Sequence, residues 1–185
     1  MTEAVRTLVF GGARSGKSSY AEQLASASGK RVVYIATAQA GDGEMQARIA
    51  LHRQQRPAVW ATVEEPLALA AAIQQHAAPD TLVLVDCLTV WLSNLLFSEQ
   101  RDYPEIGHIV PPDAFARQRA NLLQVLQQAK GDIVLVSNEV GMGIVPQGAI
   151  SRWFVDEAGR LNQAVAALCD RAVFVAAGLP LVLKG

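Results

Sequence analysis

The 185-residue sequence has few cysteines, little excess charge and no long apolar run. Cys87 and Cys169 lack CxxC spacing, so we expect reduced thiols and a cytoplasmic protein rather than a disulfide-bonded secreted one. The formal net charge of −1 argues against a broad basic surface for nucleic acid. No apolar run approaches the roughly 20 residues of a membrane span. The first residues lead directly into a predicted strand, so we expect no signal peptide.

The sequence does contain short apolar, β-branched runs that alternate with longer helical patterns, which is typical of βαβ units. We therefore expect residues 1–185 to form a single α/β domain. Strands are predicted at residues 6–10, 31–36, 59–63, 81–86, 132–137, 172–176 and 181–183. Helices are predicted at residues 17–27, 44–55, 66–76, 88–97, 112–130 and 150–169. Residues 178–180 suggest a tight turn, which would make the last strand an antiparallel edge partner.

The segment GGARSGKS follows an apolar run and fits the pattern G-x-x-x-x-G-K-[ST] of a phosphate-binding loop, or P-loop. Its glycines allow a tight turn around an anion, and the next helix presents its positive end to phosphates. Lys17 would reach the β- and γ-phosphates, and Ser18 would ligate Mg²⁺. The predicted nucleotide-binding residues of this loop are Gly11, Gly12, Ala13, Arg14, Ser15, Gly16, Lys17 and Ser18. The expected fold is a three-layer P-loop NTPase of the RecA-like type, with about seven mostly parallel strands and one antiparallel edge strand.

Two further segments start where predicted strands end, at the edge where such sheets bind ligands. Asp86 ends an apolar strand and would be a second Mg²⁺ ligand beside Ser18; alternatively, it caps the following helix. Cys87 fits a small buried residue better than a nucleophile, because no base stands near it in the sequence. Residues 136–146 are either a substrate-facing loop or a turn-rich connector.

A charged helix is predicted around the first of the three histidines. Four polar side chains recur every four residues along one face: Glu44, Arg48, His52 and Arg56. Guanidinium groups bind phosphate and favour a neutral, nucleophilic imidazole, although an exposed histidine in a charged helix is common. His76 and His108 receive no chemical role. Residues 98–112 are polar and rich in proline, which favours a solvated loop over a lid or subunit contact.

Together these segments resemble the bifunctional adenosylcobinamide kinase / adenosylcobinamide-phosphate guanylyltransferase family of cobalamin synthesis. The matching residues are 11–18, 34–38, 44–45, 48–49, His52, Trp60, Thr62, Glu64, 86–89, Trp91, Asn94, 138–146 and 159–163. Residues 138–146 are the most specific of these, because ordinary P-loop kinases lack such a segment. Residues 98–131 carry little of the resemblance.

The resemblance implies two successive reactions. The γ-phosphate of ATP or GTP goes to adenosylcobinamide, and GMP from GTP then passes through an enzyme histidine to adenosylcobinamide phosphate. It implies that His52 is the nucleophile, that Lys17 is also catalytic, and that Mg²⁺, ATP and GTP are used. The further nucleotide-binding residues that it implies are Thr37, Ala38, Arg53, Gln54, Gln55, Arg56, Glu64 and Asp86. It also implies a homotrimer.

Two other functions are compatible with the P-loop alone. One is a small-molecule kinase on the same scaffold, without nucleotidyl transfer and with His52 as a surface residue. The other is a RecA-like regulatory or assembly module that uses hydrolysis to move partners. Such modules usually carry partner-binding extensions, and 185 residues leave little beyond the core.

Overall fold

The computed structural model describes residues 4–39, 57–99 and 101–185. The helix predicted at residues 44–55 therefore lies outside the described residues, as do His52, Arg53, Gln54, Gln55 and Arg56. The strands are β1 (Arg6–Gly11), β2 (Arg31–Ala36), β3 (Ala61–Glu64), β4 (Thr81–Asp86), β5 (Asp132–Asn138), β6 (Arg171–Ala176) and β7 (Leu179–Lys184). The helices are α1 (Lys17–Ala27), α2 (Leu69–His76), α3 (Leu88–Leu96), α4 (Asp113–Gln128) and α5 (Ala149–Leu168).

The described strands form one seven-stranded sheet in the order β3-β2-β4-β5-β1-β6-β7. Strands β1 to β6 are parallel, and β7 pairs antiparallel with β6 at the edge. This arrangement confirms the predicted mostly parallel sheet with one antiparallel edge strand. Gly11 lies opposite Asn138 in the register of β1 and β5, and Asp86 lies opposite Val136 in that of β4 and β5. The polar residues that end β1, β4 and β5 therefore lie along one edge of the sheet.

Helices cover both faces of the sheet, which explains why its central strands are almost continuously apolar. Alternate residues of each strand point to opposite faces. Leu84 and Val134 belong to the cluster that packs against α1. Leu135, on the other face, belongs to the cluster that includes residues of α2, α3, α4 and α5. The result is the expected three-layer α/β/α arrangement.

Two element starts differ from the sequence prediction by a few residues. Strand β3 begins two residues late because the Trp60 N–H donates to the Pro57 carbonyl oxygen and closes a turn there. Helix α2 begins at Leu69 rather than at Pro66. The reason is that Glu65 Oε1 accepts hydrogen bonds from the backbone N–H groups of residues 67 and 68, at 3.0 and 2.7 Å, and so holds a bend before the helix.

The last strand is longer than predicted, and the turn before it lies earlier. Ala177 and Gly178 have φ values of 51° and 77°, the combination that a two-residue type I′ hairpin turn requires. Pro180 is accommodated because an edge strand has one side without a neighbouring strand. All six residues of β7 are exposed, including Leu179, Leu181, Val182 and Leu183. None of the helices in the described residues is long and apolar enough to cross a membrane.

The core assignment can be tested with two isoleucines of opposite exposure. Ile133 in β5 is 0% exposed, whereas Ile106 is 86% exposed. Ile133→Ala should lower the free energy of unfolding by about 2–5 kcal/mol, because it leaves a cavity in the centre of the sheet. Ile106→Ala should change it by no more than about 0.5 kcal/mol. Urea denaturation followed by circular dichroism measures both, and equal effects would contradict this placement of the core.

Candidate active site

The P-loop curls between the end of β1 and the start of α1. The Ser15 N–H donates to the Gly12 carbonyl oxygen at 3.3 Å, and Arg14 and Gly16 have φ values of 55° and 94°. Residues with positive φ turn successive N–H groups toward one side, which forms an anion-binding concavity. The buried Ser15 Oγ has no hydrogen-bond partner within the described residues. The loop therefore has the shape and the free donors of a phosphate site.

Glycine is required in this loop by close contacts with the β6–β7 hairpin. A Cβ on Gly11 would lie 2.2 Å from the Val175 carbonyl oxygen, and one on Gly16 would lie 3.0 Å from the Gly178 Cα. The Gly178 N–H donates to the Ser15 carbonyl oxygen at 2.8 Å. The hairpin turn thus supports the P-loop directly. The sequence indicated only a turn at Gly178, because it does not reveal that β6 lies next to β1.

Lys17 is a buried lysine whose charge has little protein compensation in the described residues. Its Nζ donates to the Gly12 carbonyl oxygen at 3.0 Å. Burial lowers the pKa of Lys17, and the nearby Asp86 carboxylate opposes that effect only in part. Since a desolvated ammonium gains strongly from an anionic neighbour, Lys17 is suited to a polyphosphate.

Asp86 faces the site and does not cap the following helix. The N-cap residue of α3 is Cys87, and it makes no side-chain cap hydrogen bond. Tyr34 Oη instead donates to Asp86 Oδ2 at 3.0 Å and orients the carboxylate. The sequence alternative of an N-cap role for Asp86 is therefore wrong. The peptide bond between Asp86 and Cys87 is cis.

The oxygen donors suit a magnesium ion that is bound largely by phosphate and water. Ser18 is half-buried in the first turn of α1, and Asp86 ends β4 two strands from β1. The described residues contain no cluster of three or more histidine, cysteine, aspartate or glutamate side chains that could hold a metal. Mg²⁺ in nucleotide sites typically takes one or two protein oxygens plus phosphates, so this donor set fits it.

A buried polar network joins β2, β4 and α3 beside Asp86. Thr37 Oγ1 donates to the Cys87 carbonyl oxygen at 2.8 Å and accepts from the Cys87 N–H at 2.9 Å. Asn94 Nδ2 donates to the Thr37 carbonyl oxygen at 2.8 Å. The Thr37 side chain thus fixes the backbone at the site, while Ala38 next to it is half-buried. Glu64 ends β3 opposite Ala36 in the register.

The end of β5 is fixed to its neighbours by a second network. The Glu139 N–H donates to the Gly11 carbonyl oxygen at 2.9 Å. Asn138 Nδ2 donates to Thr89 Oγ1 at 2.6 Å. Asn162 makes two hydrogen bonds to this strand: its Oδ1 accepts from Ser137 Oγ at 2.6 Å, and its Nδ2 donates to the Asn138 carbonyl oxygen at 3.2 Å. Asn162 was not among the predicted site residues. It lies in residues 159–163, which match the family, but no local pattern indicated that it would support β5.

Comparison with known proteins decides the family of this P-loop domain. The family model of cobinamide kinase / cobinamide phosphate guanyltransferase matches residues 7–183. The chain belongs to this family. It is 54% identical over 181 residues to the bifunctional adenosylcobalamin biosynthesis protein CobP of Pseudomonas aeruginosa, covering 98% of each chain. It is 42% identical to CobU of Escherichia coli, covering 96% of this chain and 98% of that one.

Solved structures support the fold. An ATP synthase subunit of Nanoarchaeum equitans, NeqB, has a TM-score of 0.56 at 12% identity and covers 94% of this chain and 46% of its own. A type III secretion ATPase has a TM-score of 0.56 at 14% identity, with 97% and 57% coverage. At such identities the likeness concerns the fold alone. It confirms the predicted RecA-like P-loop NTPase fold of this family member.

Cys87 lies in the middle of the site but is not prepared for nucleophilic attack. Its thiol is buried, and burial together with the negative Asp86 raises its pKa. Its Sγ lies 3.3 Å from Thr89 Oγ1. A buried thiol that remains protonated is a poor nucleophile, in agreement with the prediction of a small buried residue.

The dependence of the P-loop on Gly11 can be tested against its neighbour. Gly11→Ala would push a methyl group into the Val175 carbonyl oxygen, so we expect a loss of about 1–3 kcal/mol of stability. We also expect at least about a tenfold rise in the Kd for a triphosphate. A Cβ on Gly12 meets nothing within 4 Å, so Gly12→Ala serves as the matched control for stability. Denaturation and equilibrium nucleotide binding measure the two effects, and a Gly11→Ala protein as stable as Gly12→Ala would refute this role of the hairpin.

Proposed function

We propose that the protein phosphorylates adenosylcobinamide with ATP or GTP and then transfers GMP from GTP to adenosylcobinamide phosphate, giving adenosylcobinamide-GDP. The observation that carries the proposal is the family match over residues 7–183, together with the P-loop geometry at Gly11 and Lys17. The names of the relatives describe a bifunctional protein of adenosylcobalamin biosynthesis. Bifunctionality requires one small chain to perform two kinds of phosphorus chemistry.

The kinase step needs positioning and charge stabilisation more than covalent help. The P-loop N–H groups and Lys17 would hold the β- and γ-phosphates, and the Ser15 hydroxyl is available as a further donor. Ser18 and Asp86 would hold Mg²⁺, which supplies positive charge to the phosphate oxygens. The acceptor hydroxyl of adenosylcobinamide attacks the γ-phosphorus, and the nucleoside diphosphate leaves.

The guanylyl step uses attack at a different phosphorus. We assign the nucleophile to His52 on the family resemblance: a P–N bond forms to the α-phosphorus, and the bond to pyrophosphate breaks. A phosphate oxygen of adenosylcobinamide phosphate then attacks the same phosphorus and releases the imidazole. We assign nucleotide contacts to Arg53, Gln54, Gln55 and Arg56 on the same ground, and to Ala38 and Glu64 near the ends of β2 and β3. Thr37, which is 0% exposed, would act by holding the backbone beside them.

We further propose that the protein is a single-domain homotrimer located in the cytoplasm. The exposed apolar side chains of β7 support a subunit contact, because a monomer would leave this edge strand in water. Cys87 and Cys169 are buried free thiols, as expected for a reducing compartment.

The histidine assignment can be tested with all three histidines of the chain. The protein is incubated with α-labelled GTP and Mg²⁺ and then denatured, and retained label is measured. Acid-labile, base-stable label is expected for the wild type and for His76→Asn and His108→Asn, and none for His52→Asn, since only His52 forms the P–N bond. Phosphorylation of adenosylcobinamide should persist in His52→Asn.

Each alternative function predicts a different result in that assay. Wild-type protein that phosphorylates adenosylcobinamide but retains no label would be a kinase without nucleotidyl transfer. Hydrolysis of the triphosphate with neither reaction would favour a regulatory module. Label that persists in His52→Asn would place the nucleophile elsewhere.

A shared triphosphate site makes a prediction for Lys17. Lys17→Ala should lower both the kinase rate and the rate of self-guanylylation by about 10²–10³-fold, because both steps build charge on phosphate oxygens near its ammonium. Lys30→Ala, which removes a half-buried ion pair with Asp132, is the matched control. It should leave both rates within about twofold, because this pair lies at the amino-terminal ends of the strands and nucleotides bind at the carboxyl ends. Full guanylylation by Lys17→Ala would show that the two reactions use separate triphosphate sites.

A further inference from the structure

The segment that follows β5 exposes an unusual number of apolar side chains. Within residues 140–146 of the described chain, three large apolar residues are mostly exposed to water, Met142, Ile144 and Val145, and Val140 is exposed over 36% of its surface. Ile144 is 99% exposed and Met142 is 76% exposed. Single exposed apolar side chains are normal, but a contiguous group marks a surface that binds something.

The start of this segment is fixed to the P-loop. The Glu139 N–H donates to the Gly11 carbonyl oxygen, and Glu139 Oε1 accepts from the Gly141 N–H at 2.6 Å. Asn138, one residue earlier, is held by Thr89. The exposed apolar group therefore begins one residue after a direct hydrogen bond to the phosphate site.

The end of the segment is fixed as well. The guanidinium group of Arg152, in α5, donates to the carbonyl oxygens of Pro146, at 3.2 Å, and Gln147. The Ala149 N–H donates to the Glu105 carbonyl oxygen at 3.0 Å. With both ends bonded, the segment cannot easily fold its apolar side chains inward. A segment held in this way loses little conformational freedom when a ligand covers it.

We propose that residues 140–146 bind the corrin macrocycle of adenosylcobinamide and of its phosphate. This inference rests on the proposed function, which requires an acceptor that brings one hydroxyl to the γ-phosphate. The remainder of that acceptor is a large, rigid macrocycle whose rim carries methyl groups and amide side arms. Such a rim gains from apolar contacts close to the P-loop.

The position of residues 140–146 beside the P-loop fits this role. The first acceptor must approach the triphosphate with the macrocycle still attached, so the binding surface has to be continuous with Gly11. Residues 140–146 satisfy this condition through Glu139. The β6–β7 turn also contacts the P-loop, but β7 runs from there along the edge of the sheet, where an unpaired strand edge suits a second copy of the chain. The two apolar surfaces thus serve different partners: the macrocycle and a second copy of the chain.

Substitution of the most exposed residue tests the assignment. Ile144→Asn should raise the KM for adenosylcobinamide about tenfold, the factor that corresponds to about 1.4 kcal/mol of lost apolar contact. The KM for ATP and the rate of self-guanylylation, which involves no corrinoid, should stay within about twofold. Ile144→Leu should restore the wild-type KM, since it keeps an apolar side chain of the same size.

Val59→Asn is the matched control. Val59 is 87% exposed and precedes β3, which is separated from β5 by β2 and β4. Its substitution should therefore leave the KM values for adenosylcobinamide and ATP and the rate of self-guanylylation unchanged. Equilibrium binding of adenosylcobinamide, followed by its visible absorbance, measures the corrinoid affinity without turnover. Light scattering gives the molecular mass of each variant and so shows whether its oligomeric state has changed.

The possible outcomes separate this inference from the proposed function. If wild-type protein does not phosphorylate adenosylcobinamide, the proposed function fails. If it does and Ile144→Asn keeps the wild-type KM, only the corrinoid assignment is overturned. A changed molecular mass with an unchanged KM would identify residues 140–146 as a subunit contact. An equal rise in KM for Val59→Asn would show a nonspecific surface effect and would also overturn the assignment.

Discussion

The phosphate-binding site depends on two backbone hydrogen bonds that hold the P-loop from opposite sides. The Glu139 N–H at the end of β5 donates to the Gly11 carbonyl oxygen, and the Gly178 N–H in the β6–β7 turn donates to the Ser15 carbonyl oxygen. Both partners belong to strands or turns beside β1 in the sheet. Because these bonds occupy carbonyl oxygens, the loop is fixed without using the N–H groups that a polyphosphate needs. The local sequence forms the loop, and the order of the strands fixes its position.

The same arrangement places a buried ammonium group, a buried hydroxyl group and a carboxylate close to the P-loop. Lys17 is desolvated, the Ser15 hydroxyl is buried without a partner in the described residues, and Asp86 is oriented by Tyr34. In the free protein these groups are poorly compensated, and a triphosphate with its metal ion would compensate them together. The core that surrounds the strands is well packed and apolar, so it can support such a site.

The sequence predicted the sheet and the P-loop because both are encoded locally. Continuous apolar strands and the spacing of Gly11, Gly16 and Lys17 suffice for those predictions. The roles of Gly178 and Asn162 were not predictable, because each depends on long-range contacts with the P-loop or with β5. The alternative cap role of Asp86 was wrong because Tyr34, on the neighbouring strand β2, binds the carboxylate, and no local pattern specifies that contact. The role of His52 remains a prediction from the family resemblance.

In-line displacement places the two nucleophiles on different sides of a single triphosphate. Attack on the γ-phosphorus must come from beyond the γ-phosphate, opposite the departing β-phosphate oxygen, whereas attack on the α-phosphorus must come from the side opposite pyrophosphate. A corrinoid seated on residues 140–146 and a histidine that takes GMP can therefore share one P-loop without competing for one position. In the proposed mechanism, the final transfer would bring the corrinoid phosphate to the phosphorus that His52 holds, so one of the two would have to move relative to the loop. The macrocycle surface would then have to bind both corrinoid substrates, and this favours an apolar surface, which fixes no single orientation, over a set of directional hydrogen bonds.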